Sequence, residues 1–156
     1  MQRVLWGYSA WSLALRDDKD MAQNFQDLIV WQKAMSLAKA IYSLCESFPK
    51  HQLFGLTQQL QRAAVSVPSN IAECHARHSS KEFLRFLSMA RGSLAEGQTQ
   101  LLLAHELGFI SKQVLDSIME DSTEVYKLIN GLYSAIAKRA NREVMCAQNE
   151  ILSTNH

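Results

Sequence analysis

From Phe83 to Ala104 the chain places apolar or small residues at strict four-three steps: Phe83, Leu87, Ala90, Leu94, Gly97, Leu101 and Ala104. That spacing keeps one face of an α-helix apolar, whereas a strand would alternate its faces every two residues. Ser79 and Glu82 precede it at capping-box spacing, where a serine oxygen accepts from an orphan N–H and a glutamate reaches back. Gly108 stands where a left-handed residue ends such a helix. At 1.5 Å per residue a helix of about 28 residues is roughly 42 Å long. A helix of that length sets the height of the domain around it.

Three further segments repeat the pattern. Leu56, Leu60, Ala63, Val67, Ile71 and Cys74 form one stripe. Ile118, Ser122, Val125, Ile129, Leu132 and Ile136 form another, with Ser111 placed to cap its helix. In the first segment Leu28, Trp31, Met35, Ala38, Tyr42 and Cys45 recur at helical spacing, and Phe48-Pro49 ends it because the residue before a proline disfavours the α conformation. Only 2 prolines and 6 glycines in 156 residues leave few interruptions. The expected fold is all-α: an antiparallel up-down-up-down four-helix bundle over residues 25–137. Residues 1–24 read as a weakly ordered N-terminal extension. Residues 138–156 read as a tail that prolongs the last helix for a turn or two and then frays.

The first helix carries a second apolar stripe, Val30, Leu37, Ile41, Leu44 and Phe48. The last helix adds Leu115, Met119, Tyr126 and Tyr133 beside its own core stripe. A helix apolar on two faces needs two partner surfaces. The expectation is therefore self-association through Val30, Leu37, Ile41, Leu44 and Phe48, with Tyr126 and Tyr133 contributing. The competing reading is one wide core stripe with scattered exposed apolar residues.

The second helix has a polar side, Gln59, Arg62, Ser66, Ser69, Glu73 and Arg77, and Pro68 in its interior should kink it near Ala64. Overall charge is +1, but it is unevenly spread. Lys50 to Arg91 holds six Lys/Arg against Glu73 and Glu82; Gly92 to Ile136 holds Lys112 and Lys127 against six acids. Arg62, Arg77, Lys81, Arg85 and Arg91 are the candidate contacts to an RNA or DNA backbone. Alternatively, these charges pair with one another and fix the packing.

Little else points to chemistry. Cys74, His75 and His78 could together hold a metal ion, but no second ligand cluster completes a structural zinc site, so no metal and no cofactor is assigned. Neither a phosphate-binding glycine loop nor a nucleophile elbow is present, which argues against an enzyme. Three cysteines fit a reducing, cytoplasmic setting better than a disulfide framework. The apolar run Val4 to Leu15 is short for a membrane span and lacks a signal-peptide cleavage site.

Four stretches carry a family likeness: FQDLIVWQKAMSLAKAIY (Phe25 to Tyr42), QRAAVSVPSNIAE (Gln61 to Glu73), KEFLRFLSMARGSLAE (Lys81 to Glu96) and LLLAHELGFI (Leu101 to Ile110). In that order and spacing they resemble the four-helix-bundle proteins encoded in intervening sequences of bacterial 23S rRNA genes. The accessory variability determinant of diversity-generating retroelements belongs to the same superfamily. Arg62, Pro68, Asn70 and Glu73 match its motif. The resemblance implies a bundle that assembles into ring-like pentamers, with nucleic acid and a reverse transcriptase as partners in the retroelement branch. It equally allows a protein–protein scaffold that binds no nucleic acid. Two positions depart from the family pattern. Cys74 stands where glycine is usual, which would be strained if the backbone there needed positive φ. Gly97 stands where leucine is usual, so a cavity, kink or looser bundle is expected, and Gly97→Leu should raise the melting temperature.

Overall fold

The computed structural model describes residues 24–77 and 79–153; of residues 143, 144 and 146–153 it describes the backbone alone. Four α-helices carry the described chain: α1 (Ile29–Cys45), α2 (Gln58–His75), α3 (Ser80–Glu106) and α4 (Lys112–Ser153). A 3-10 turn, Phe25–Asp27, precedes α1 and is capped by Asn24, whose Oδ1 accepts from the Gln26 N–H at 3.1 Å. Between α1 and α2 the chain makes a second 3-10 turn and an irregular turn, Leu53–Thr57, kinked at Gly55 (φ −110°, ψ −118°). No strand occurs among the described residues.

Each helix packs on its sequence neighbours, and α1 closes the square against α4. The directions follow from the side-chain pairs. Phe48 meets Phe109 at 5.7 Å between ring centres, while Lys33, further back in α1, meets Glu124, further on in α4. Gln98 donates to Ser122 and Arg91 to Asn130, so α3 and α4 also run in opposite directions.

Three of the four apolar stripes sit where the spacing puts them. Leu60, Ala63, Val67, Ile71 and Cys74 are buried on α2, and every residue from Phe83 to Ala104 in the α3 stripe is buried. On α4, Ile118, Ser122, Val125, Ile129 and Ile136 are buried, with Leu132 half-buried. The first helix differs. Val30, Ala34, Leu37, Ala38, Ile41, Cys45 and Phe48 are its core residues, each 7% exposed or less. Leu44 packs half-buried beside them. These residues occupy a single arc of about 100° on the helical wheel, the width of an ordinary core face. Tyr42, expected inside, is 44% exposed. The interface assignment of Val30, Leu37, Ile41, Leu44 and Phe48 is thereby corrected: these side chains are consumed by their own subunit. Tyr133 is also largely covered, by the Arg91 guanidinium 5.0 Å above its ring. Of that set Tyr126 alone is left as exposed surface.

Local expectations divide the same way. Gly108 has φ 75° and accompanies a Schellman pair of bonds, Gly108 N–H to His105 and Phe109 N–H to Ala104. Ser111 accepts from the Val114 N–H. Ser79 takes the N-cap position of α3, but its side chain makes no capping bond, so the expected capping box is absent. Cys74 lies inside α2, and no non-glycine residue among those described has positive φ, so cysteine carries no strain there. α4 runs on for more than the expected turn or two past Ala137 and continues as helix to Ser153. The readings of residues 1–23 as an extension or signal lie outside the described residues.

Pro68 is buried within α2, which runs through it as one helix. Proline leaves the Ala64 carbonyl without its N–H partner. Around it Ser66, Ser69 and Asn70 side chains donate to the carbonyls of Arg62, Val65 and Ser66 at 2.8 Å each. The SVPSN run is thus a local hydrogen-bond set built about a proline. Gly97 faces Ala63: a Cβ built on it would lie 3.8 Å from that methyl, and a void of about 10 Å³ adjoins it. Alanine fits this space and leucine does not, which reverses the expectation for Gly97→Leu.

Candidate nucleic-acid interface

The five basic residues singled out from the sequence do not form one patch. Arg62 is exposed near the start of α2. Arg77 sits at the opposite end of that helix, paired with Glu73 at 2.7 Å and lying 4.9 Å over the Phe86 ring. Arg91 is half-buried, donating to Asn130 at 3.1 Å and stacked on Tyr133, so it tightens the α3–α4 seam. Lys81 and Arg85 are exposed one turn apart at the start of α3.

The continuation of α4 supplies what the sequence grouping lacked. Gln98–Ser122 and Arg91–Asn130 set the antiparallel register of α3 and α4. Both helices rise 1.5 Å per residue, so the ten residues from Arg91 down to Lys81 carry α4 from Asn130 to Ala140. Lys138, Arg139 and Arg142 therefore lie level with Lys81 and Arg85, and Arg77 is at the same end through its contact with Phe86. Lys138 and Arg142 are exposed, and Arg139 is half-buried. At this end Arg77 is paired with Glu73, and Glu82 is exposed in the first turn of α3.

The opposing charge lies along the first half of α4. Asp116, Glu120, Asp121 and Glu124 are exposed, with Lys112 on Asp116 and Lys33 on Glu124. Asp121 and Glu124 border a groove of about 310 Å³ against α1. From Glu124 to Lys138 is roughly 21 Å along the helix. The two zones are separated by more than a Debye length at physiological salt, so an anion at the basic end is little repelled by the acids. Exposed cations on adjoining helix ends can hold a phosphate backbone through counterion release, without reading bases.

Cys45 and Cys74 offer no competing chemistry. Burial pushes Cys45 up to about 11 and Cys74 up to about 12, so both are neutral thiols near pH 7, unsuited to nucleophilic attack or metal ligation. Cys74 faces the core beside Ile71, which removes the sulfur from the suggested Cys74, His75, His78 metal group; His78 itself lies outside the described residues. Among the described residues no three potential metal ligands come together. No described helix is long and apolar enough to cross a membrane. The motif residues also have plain structural roles: Pro68 and Asn70 in the α2 hydrogen-bond set, Glu73 as the partner of Arg77.

Comparison with known proteins agrees with this architecture. The family model described as 23S rRNA-intervening sequence protein matches residues 26–131. Among solved structures, a protein of unknown function from the S23 ribosomal protein family of Bacteroides thetaiotaomicron is 27% identical, with a TM-score of 0.64. The alignment covers 68% of this chain and 96% of that one. No curated protein matches the chain.

Proposed function

The chain belongs to the 23S rRNA-intervening sequence protein family, and we propose that it is a non-enzymatic bundle that holds the phosphate backbone of RNA at its basic end. The observation that supports this reading is the register of α3 and α4, which brings Lys138 and Arg142 level with Lys81 and Arg85. Contacts of this kind are electrostatic and independent of sequence. The bound partner is then structured RNA in general, in a cytoplasmic setting. A homo-oligomer, five subunits on the family resemblance, would repeat the basic end and raise the affinity by avidity.

The test is the salt dependence of binding to a structured RNA. Three to five phosphate contacts should make affinity fall with a log–log slope of roughly −3 to −4. The double substitution Lys81→Ala, Arg85→Ala should flatten that slope by about 2. Absent binding at low ionic strength, or binding insensitive to salt, overturns the proposal and leaves the protein–protein scaffold as the better reading.

A further inference from the structure

The aromatic rings at the basic end are already occupied. Phe86 and Tyr133 are packed on the core and covered by guanidinium groups, Arg77 at 4.9 Å and Arg91 at 5.0 Å. The pairs Lys33–Glu124 and Phe48–Phe109 set α1 antiparallel to α4, so Phe25 and Trp31 also belong to this end. They are half-buried and meet each other edge to face at 5.3 Å. Among the described residues the exposed rings are Tyr42, Phe54 and Tyr126. Tyr126, the nearest along the axis, is about 18 Å from Lys138, and Phe54 stands in the turn at the opposite end. Unpaired RNA bases are recognised largely by stacking on aromatic faces. This end offers a single strand no such face.

The cations at this end instead form two rows. Lys81 and Arg85 stand one turn apart on α3, Lys138 and Arg142 one turn apart on α4, and all four are exposed. In the register set by Arg91–Asn130 and Gln98–Ser122 they fall within about 10 Å along the axis. Each pair lies roughly a quarter-turn or more round its helix from the Arg91–Asn130 contact, on the solvent side. Packed helices are about 8–10 Å apart, so the two rows are spaced more widely than the helix axes. Ser134 and Asn141 follow Asn130 at helical spacing and share its face toward α3. Both are exposed. The seam between the cation rows therefore carries a hydroxyl and an amide, neutral groups that donate and accept hydrogen bonds.

Resting on the proposal that RNA is the partner, we infer that this end binds double-stranded RNA, laid with its minor groove along the α3–α4 seam. Lys81 and Arg85 hold phosphates of one strand, and Lys138 and Arg142 hold those of the other. The minor groove of an A-form helix is wide and shallow, and it displays 2′-hydroxyls between the two backbones. Ser134 and Asn141 stand between the cation rows, where they meet those hydroxyls. Such contacts tell RNA from DNA without reading the bases. A duplex also brings its two backbones already spaced, so less of the ligand has to be ordered on binding. A single strand would gain only phosphate contacts here and leave its bases in water.

The experiment measures the affinity of the purified full-length chain at low salt for a short blunt RNA duplex, each of its strands alone, and the DNA duplex of the same sequence. Duplex RNA should bind about tenfold more tightly than either strand, which engages fewer cations at once. It should also bind several-fold more tightly than the DNA duplex. Ser134→Ala with Asn141→Ala should weaken duplex RNA about fivefold and leave duplex DNA unchanged. The salt slope should stay as in the wild type, because neutral groups release no counterions. Both side chains are exposed, so the double variant keeps its core. Strands bound as tightly as the duplex, DNA bound as tightly as RNA, or a variant that loses RNA and DNA alike overturns the inference while RNA binding itself stands. No binding to any of these ligands overturns the proposed function and this inference with it.

Discussion

α1 and α3 are both apolar at helical spacing, yet only α3 could be oriented from its own residues. On α3 one stripe runs unbroken at four-three steps and is buried from Phe83 to Ala104, while Leu84, Phe86, Met89, Leu102 and Leu103 fall outside it without forming a second unbroken stripe. On α1 two stripes compete. The buried face takes Val30, Leu37 and Ile41 from one and Ala38 and Cys45 from the other, with Ala34 between them, so small residues let neighbouring helices approach while large ones fill the gaps. Of the remaining residues, Trp31 is half-buried against Phe25 at 5.3 Å and Tyr42 faces water. Periodicity locates a helix and its apolar arc; when the arc is wide, the partner helices choose its centre.

Mutation should sharpen that contrast. The largest effect is expected from Ile41→Ala, which empties a wholly enclosed site on α1 and should cost about 2–5 kcal/mol in denaturant unfolding. Tyr42→Ala, one residue on, should stay within about 0.5 kcal/mol. Equal losses at both positions would put the α1 core face back on the Tyr42 side. Next comes Gly97 on α3. Gly97→Leu should destabilise by about 1–3 kcal/mol because the new side chain meets Ala63. Gly97→Ala should gain up to about 1 kcal/mol from helix propensity, readable as a higher melting temperature. The smallest pair concerns the caps. Ser111→Ala should cost about 1 kcal/mol, since its oxygen serves the Val114 N–H. Ser79→Ala, with no capping bond to lose, should cost a few tenths at most.

Most of the fold was legible in the sequence because its signals were local. The α2, α3 and α4 stripes, the glycine turn at Gly108 and the Ser111 cap each depend on residues a few positions apart. The α1 orientation depended on contacts with α2 and α4, which spacing alone does not encode. The site was less legible. Arg62 stands close to Lys81 and Arg85 in sequence, although it lies near the opposite end of the 18-residue α2. Lys138, Arg139 and Arg142 fall in a polar stretch, KRANR, that follows the last clear core residue and reads as only a turn or two of helix before fraying. Once α4 continues, the same residues become the second wall of the basic end. The exposed Phe54 had no periodic signal at all, since the turn Leu53–Thr57, kinked at Gly55, follows neither the helical nor the strand repeat.

The account rests on the claim that one end of this bundle, rather than its basic residues at large, is what meets RNA. The most direct measurement compares RNA affinity at low salt for Arg62→Ala with that for Lys138→Ala, Arg142→Ala. The account predicts that the first matches wild type while the second loses on the order of tenfold and flattens the salt slope by about 2. Equal losses at both sites, or a loss with Arg62→Ala alone, would contradict it.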